Sequence, residues 1–264
     1  MFQHKYKHIY KILLLKLIKS LIIKIKVKKT KVDRKIFLKN KEWSFSKKIA
    51  PLFDYHINKS IPFYKEFQWL CNEVSDYFIK DKSNVYDLGC STGSYTKRLA
   101  LRHKNKKKLK IYAIDVVAEM ISFAKKKNKF KNVIYTKKNI NNLKFKKSDF
   151  ILSFYTLQFI NQKYRQSIIN KIYKSLNWGG GFFFVEKVRS YDARTQDQMT
   201  TIYEEFKLYN GFSEAEITSK KKSLKGVLEP FSSKANIQML KRAGFKDVST
   251  IAKFVSFEGF LAIK

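Results

Sequence analysis

The chain has 264 residues, 44% hydrophobic and 16% aromatic, which suffices for one large domain with a buried core. With only 9 Gly and 3 Pro against 23 Phe and 15 Tyr, collagen-like and long disordered tracts are excluded, and two cysteines give neither a disulfide framework nor metal-ligand spacing, so a reducing compartment fits. The formal net charge of +35 has two readings: a surface that meets RNA or an anionic membrane, or lysine filling solvated positions in a composition that is also rich in Asn, Ile, Phe and Tyr.

Residues 1–41 contain the run YKILLLKLIKSLIIKIKVKKTK. Lysine interrupts it every few residues, so no apolar stretch reaches the length of a membrane span, and no small-residue cleavage site follows it. It reads as a basic extension, poorly ordered or loosely helical, with an amphipathic helix on an anionic surface as the alternative.

Organised patterning begins at residue 42. Helical spacing dominates 60–78, with Pro62 near the helix start. SNVYDLG is a short strand ending in glycine, SYTKRLALRHK a helix, LKIYAIDVV a second strand and AEMISFAKKKN a second helix. KNVIYTKKNI holds a third strand and SDFILSFYTLQF a fourth. NQKYRQSIINKIYKSLNW reads as a helix running into Gly179, Gly180 and Gly181, and GFFFVEKV is a fifth strand. Strands alternating with helices mean βαβ units and a mainly parallel sheet. Residues 189–229 break this rhythm with polar helical segments, an insert expected over the carboxyl ends of the strands. SSKANIQMLKRAGF is a helix closed by Gly244, and the remainder reads as two strands joined by a turn. Five parallel strands plus a terminal hairpin predict a Rossmann-like, class I methyltransferase-type α/β sheet of seven strands.

The segment VYDLGCSTGSYT places Gly89 directly after a strand, with Gly93 four residues on. The first glycine permits a tight turn, the next residues bring backbone N–H groups to a ligand near a helix N-terminus, and Gly93 lets the helix approach the strand. Asp87 is placed to orient the loop or to meet a ligand amino group. Asp115 ends the next strand, 26 residues after Gly89, where a carboxylate can accept both hydroxyls of a ribose. The loop GCSTG departs from GxGxxG, and the terminal hairpin disfavours a dehydrogenase. After the third strand, Asn139 and Ile140 are placed to touch an adenine. Glu186 and Lys187 end the fifth strand, either in the pocket or in a structural ion pair. His4, His8, His56 and His103 form no cluster and read as surface residues, and Cys90 has no base partner in sequence for nucleophilic catalysis.

With these residues set out, the chain resembles the carboxy-S-adenosylmethionine synthase family. The matching text includes EWSFSKKIAPLFDYHINKSIPFY, VYDLGCSTG, AIDVVAEMI, YTLQFI, KIYKSLNWGGG, EKVRSYDA, FKLYNGFSEAEI, LKRAGFKDV and FEGFLAIK, and it spans 42–264. The runs 61–64 and 206–217 separate this family from general methyltransferases. The resemblance implies a homodimer that uses S-adenosylmethionine and prephenate as substrates, without a metal, and forms carboxy-S-adenosylmethionine and phenylpyruvate. It implies that prephenate decarboxylates as its ring becomes aromatic, that the leaving hydroxide takes a proton from the sulfonium methyl, and that the resulting ylide captures the carbon dioxide. The protein would be cytoplasmic, and its product would pass to a separate enzyme making 5-oxyacetyl uridine at the tRNA wobble position.

Carried over residue by residue, the family's ligand contacts fall on Tyr64, Gly89, Cys90, Ser91, Asp115, Val116 and Ile140. No side chain is assigned a catalytic role. Three positions depart from the family pattern. An adenine-side aspartate becomes Asn139, which keeps an acceptor oxygen without charge. A fourth-strand asparagine becomes Phe154, which deletes a polar contact. The arginine that grips the ligand carboxylate from the partner subunit becomes Lys221, which keeps the charge but not the bidentate fork. Two other readings stand beside this one: a methyltransferase acting on RNA, and a non-catalytic fold that binds nucleotide or RNA.

Overall fold

Buried on both faces, a central parallel strand is apolar along most of its length, and the strand that leads into the glycine loop keeps this pattern at Val85, Tyr86 and Leu88 around one buried acid, Asp87. In the computed structural model, which describes residues 49–264, this strand is β1 (Asn84–Leu88), and all but its first residue are buried. Expectations for the basic extension 1–41 lie outside the described residues.

Two helices precede it, α1 (Ala50–Ser60) and α2 (Tyr64–Ser75). Within the helical pattern expected across 60–78 the helix itself is Tyr64–Ser75: Ile61–Phe63 form the turn before it, Phe63 takes a left-handed backbone (φ +56°), and Pro62 stands near the helix start as expected. The order continues α3 (Ser94–Arg102), β2 (Lys110–Asp115), α4 (Ala118–Lys127), β3 (Val133–Lys137), β4 (Ser148–Phe154), α5 (Gln162–Ser175), β5 (Leu176–Lys187), α6 (Ala193–Tyr209), α7 (Glu214–Ser223), α8 (Ser233–Ala243), β6 (Asp247–Phe254) and β7 (Phe257–Ile263). The expected helix 161–178 ends at Ser175. Leu176 already pairs with Ser148, and the register then shifts so that Gly181 faces Phe150, which puts the glycines inside the strand.

The sheet order is β3-β2-β1-β4-β5-β7-β6. The first five pair in parallel, while β7 runs antiparallel to both β5 and β6. This is the expected seven-stranded class I fold with its terminal hairpin.

Side chains of β5 alternate between two cores, as strand geometry requires. Phe182 and Phe184 join Ile168, Ile169 and Ile172 of α5 and Met239 and Leu240 of α8 on one face. Phe183 and Val185 join Phe67 and Cys71 of α2 and Leu99 of α3 on the other. Helix ends carry their own signals. Asn161, Asp192 and Ser232 accept backbone N–H bonds at the starts of α5, α6 and α8, and Ser213 with Glu216 forms a capping box on α7.

The insert behaves differently from the core helices, since α6 has no fully buried residue. It is tied down at its edge. Tyr203 donates its hydroxyl to the Ser60 carbonyl at 2.9 Å, and Lys220 of α7 bonds His56 of α1. These contacts hold the insert against the N-terminal helices and roof the carboxyl ends of the strands.

Candidate functional site

Loops at the carboxyl edge of a parallel sheet enclose a cleft by topology. Here that cleft is a cavity of about 890 Å³, within the size range that encloses a drug-sized molecule. All the ligand positions expected from the sequence line it: Tyr64, Gly89, Cys90, Ser91, Asp115, Val116, Asn139, Ile140, Phe154 and Lys221.

The glycine loop is sewn to the neighbouring strand. Gly89 and Cys90 both donate their N–H groups to the Ile114 carbonyl, at 2.8 and 3.0 Å. Gly93 caps α3 in a left-handed conformation (φ +70°), and a Cβ there would press to 2.8 Å on the Tyr135 hydroxyl and 2.9 Å on Asn128. Close packing of the loop against the sheet therefore needs glycine at this position. Ser91, also left-handed at φ +49°, is held by its N–H bond to Asp115 Oδ2 at 2.9 Å.

Asp115 does more than face a ligand. Its Oδ2 accepts from Ser91 and its Oδ1 from the Val117 N–H at 2.9 Å, so one carboxylate links the glycine loop to the start of α4. Burial raises its pKa, and the two backbone bonds oppose that rise. Each oxygen keeps a lone pair for a ligand hydroxyl. Val116 next to it is 58% exposed, an apolar wall facing the cavity.

Deeper in, Asp87 is 3% exposed and accepts the Thr96 hydroxyl at 2.6 Å. Burial pushes its pKa up to about 7, against the Thr96 bond, with Asp115 adding to the rise. Cys90 is a free thiol pushed well above its ordinary pKa by burial, the opposite of an activated nucleophile.

The departures from the family pattern have structural readings. Asn139 spends its side-chain oxygen on its own turn, accepting the Asn141 N–H at 2.9 Å, which leaves its amide NH₂ and one lone pair for a ligand. Phe154 packs on Tyr95 (4.8 Å between ring centroids) and Phe183 (5.8 Å), joining the core where a polar residue was expected. Lys221 sits at the rim of its own chain's cavity, 68% exposed and paired with Glu204 at 3.1 Å.

Glu186 and Lys187 diverge. Glu186 turns away from the cavity and accepts the N–H groups of Thr156, Leu157 and Gln158 at 3.1, 2.9 and 2.9 Å, fixing the turn after β4. Its pKa is pushed up to about 8 by burial, against those bonds. Lys187 lines the cavity. The histidine expectation needs correction: His56 and His103 are 2% and 3% exposed, not surface residues. His56 lines the cavity, and His103 bonds Ser75 at 2.8 Å within the core.

Sequence reasoning missed the stripe Gln196, Thr200, Tyr203, Glu204 and Lys207, which lines the cavity from one face of α6. Its helical spacing was a readable signal. The lining is also divided in charge along the sequence. Before residue 187 it includes Asp87 and Asp115 but no Lys or Arg. From 187 onward it holds six cations, Lys187, Arg189, Lys207, Lys220, Lys221 and Lys225, against Glu204 and Glu229. Among the described residues no group of three or more His, Cys, Asp or Glu could hold a metal, and no helix is long and apolar enough to cross a membrane.

A family model described as a methyltransferase domain matches residues 79–244. Among solved structures, a SAM-dependent methyltransferase from Aquifex aeolicus aligns with TM-score 0.55 at 16% identity, covering 83% of this chain and 99% of that one. Human N-acetylserotonin methyltransferase aligns with TM-score 0.57 at 15% identity, covering 83% and 56%. These likenesses establish the fold. Among curated proteins, the carboxy-S-adenosyl-L-methionine synthase of Staphylococcus epidermidis is 36% identical over 84% of this chain and 97% of its own length. That of Campylobacter lari is 36% identical over 85% and 95%. The chain therefore belongs to the carboxy-S-adenosyl-L-methionine synthase family, transferases built on the S-adenosylmethionine-binding methyltransferase fold.

Proposed function

We propose that the protein converts S-adenosyl-L-methionine and prephenate to carboxy-S-adenosyl-L-methionine, phenylpyruvate and water. The observation that carries this reading is the make-up of the cavity lining, which joins Asp87 and Asp115 with six cations. S-adenosylmethionine brings a sulfonium and an ammonium, which suit the two aspartates. Prephenate is a dianion, which suits the cations. A neutral methyl acceptor demands no such excess of cations.

The ligand residues are those named from the sequence. Asp115 takes the ribose hydroxyls, with Val116, Asn139 and Ile140 around the adenine. The loop Gly89–Ser91 and Tyr64 frame the methionine part, and Asp87 faces its ammonium. The balance is simple. The sulfonium methyl loses a proton and gains the carbon dioxide shed by prephenate, and that proton joins the hydroxide shed from the ring to form water. No side chain has to carry a proton. The protein's task is to hold two partners together away from water until the new C–C bond forms. We further propose a cytoplasmic homodimer whose product serves a separate enzyme making 5-oxyacetyl uridine in tRNA.

Mass spectrometry tests the reading. Incubation with S-adenosylmethionine and prephenate should give a product heavier than S-adenosylmethionine by one carboxyl group, together with phenylpyruvate. Prephenate loss without that product, or methyl transfer to tRNA in its place, overturns it.

A further inference from the structure

Lys187 stands at the carboxyl end of β5, half-buried in the cavity wall. Its ammonium lies 4.5 Å from the centroid of the Tyr203 ring. No carboxylate among the described residues ion-pairs with it, because the adjacent Glu186 is turned onto backbone N–H groups and Glu204 is engaged by Lys221. A cation withdrawn from water is costly unless an anion meets it.

Tyr155, at the end of the neighbouring strand, supplies a second unanswered group. It is 6% exposed and lines the same cavity, and its hydroxyl has no hydrogen-bond partner among the described residues. Its backbone is left-handed (φ +53°), a conformation that bulky residues avoid, and its N–H bond to the Val185 carbonyl at 2.7 Å holds it there. Both residues border one aromatic corner. The Phe257 ring lies 5.9 Å from Tyr155 and 5.2 Å from Tyr203, and Tyr203 is itself fixed by its bond to Ser60.

We propose that the Lys187 ammonium and the Tyr155 hydroxyl seat one carboxylate of the second substrate, with its ring against Tyr203 and Phe257, and so set specificity for ring-bearing carboxylates. A charge-assisted bond to ammonium plus a hydroxyl donor suits a carboxylate, and flat aromatic walls suit an unsaturated ring. Burial lowers the Lys187 pKa to about 8, with the nearby Lys221 and Arg189 adding to the fall and Glu204 opposing it. An arriving carboxylate holds the ammonium in its charged form.

The seat rests on the synthase reading only for the identity of its occupant. Calorimetry on the full chain saturated with S-adenosylhomocysteine, which lacks the methyl that would accept the carboxyl group, tests it, with prephenate and phenylpyruvate as probes. Lys187→Met should weaken both by roughly thirtyfold or more, while S-adenosylmethionine affinity stays within about twofold. Lys187→Arg should recover much of the loss, and Tyr155→Phe should cost roughly three- to tenfold. Equal carboxylate affinity in wild type and Lys187→Met, or no binding of either probe to wild type, overturns the seat. Lys187-dependent phenylpyruvate binding without carboxylated product from prephenate would sink the synthase reading and leave the seat standing. Normal product with an unchanged prephenate KM in Lys187→Met would do the reverse.

Discussion

The Thr156 side chain occupies the space that a side chain at Gly89 would need. A Cβ on Gly89 would fall 2.0 Å from Thr156 Oγ1 and 2.7 Å from its Cγ2. That hydroxyl donates to the carbonyl of Leu88 at 3.1 Å, so the turn after β4 buttresses the glycine loop after β1. Gly89 is also left-handed at φ +79°. Gly89→Ala therefore meets two penalties, and together they should destabilise the fold by about 2–4 kcal/mol. Chemical denaturation measures it. In a Thr156→Gly background the steric part vanishes, and Gly89→Ala should cost only the backbone strain of about 1 kcal/mol. Additive effects would refute the buttress.

Asp115 gives a separable prediction because both its oxygens already accept backbone N–H groups, from Ser91 and Val117. Asp115→Asn keeps one acceptor and turns a donor toward an N–H. S-adenosylmethionine affinity should fall by about 10- to 100-fold, the scale of a charge-assisted hydrogen bond. Hydrogen exchange should also quicken at the Ser91 amide, a change that loss of a ligand contact alone would not produce. Unchanged protection at Ser91 with lost affinity would leave Asp115 as a ligand contact only.

Asp87 sets a pH dependence. Its folded-state pKa, pushed up to about 7 by burial, lies above the ordinary carboxylate value. The stability it contributes is thus present in acid and is lost as pH rises through about 7. A cationic ligand favours the ionised form, so binding S-adenosylmethionine should release a proton when pH is below 7. Affinity should weaken by up to about tenfold per pH unit below that value. In Asp87→Asn the acid-side slope should flatten and affinity should be low throughout. Calorimetry in buffers of different ionisation heat reads the proton release directly, and its absence at pH 6 would remove Asp87 from the ligand.

The strands and the glycine loop were legible because their signals are local: apolar runs of strand length, glycine at a tight turn, and an aspartate one strand later. Other features depend on tertiary context. The apolar helical stripe of Ile168, Ile169 and Ile172 continues to Leu176, so spacing alone extends the helix, yet Leu176 pairs with Ser148 as the first residue of β5. Phe63 divides α1 from α2 with a backbone that glycine usually marks. His56 and His103 are buried by partners far away in sequence, Lys220 and Ser75. Glu186 and Lys187 alternate across the strand end, one onto backbone and one into the cavity, and the sequence does not say which side holds the ligand.

Lys221 is the last point at which the sequence and the structure meet. The family resemblance assigns its position to a carboxylate-gripping arginine contributed by the partner subunit. Within one chain it already lines the cavity, 3.1 Å from Glu204 and 68% exposed. An exposed lysine in high dielectric is worth far less than a desolvated one. Lys221→Ala should therefore weaken carboxy-S-adenosylmethionine by only about tenfold or less and leave S-adenosylmethionine unchanged, because only the former carries the extra anion. Lys221→Arg should match or exceed wild type, since a guanidinium can grip a carboxylate with two bonds. Raising salt should shrink the Lys221→Ala difference, as it does for any exposed pair. Which subunit supplies the charge follows from a mixed dimer of Lys221→Ala and Asp115→Ala chains. Wild-type affinity for carboxy-S-adenosylmethionine at its one site with an intact Asp115 identifies the partner's lysine, because that site then keeps both groups; the weaker affinity of Lys221→Ala there identifies the chain's own. Equal affinity of wild type and Lys221→Ala for the carboxylated product, at low salt, would place this lysine outside the site altogether.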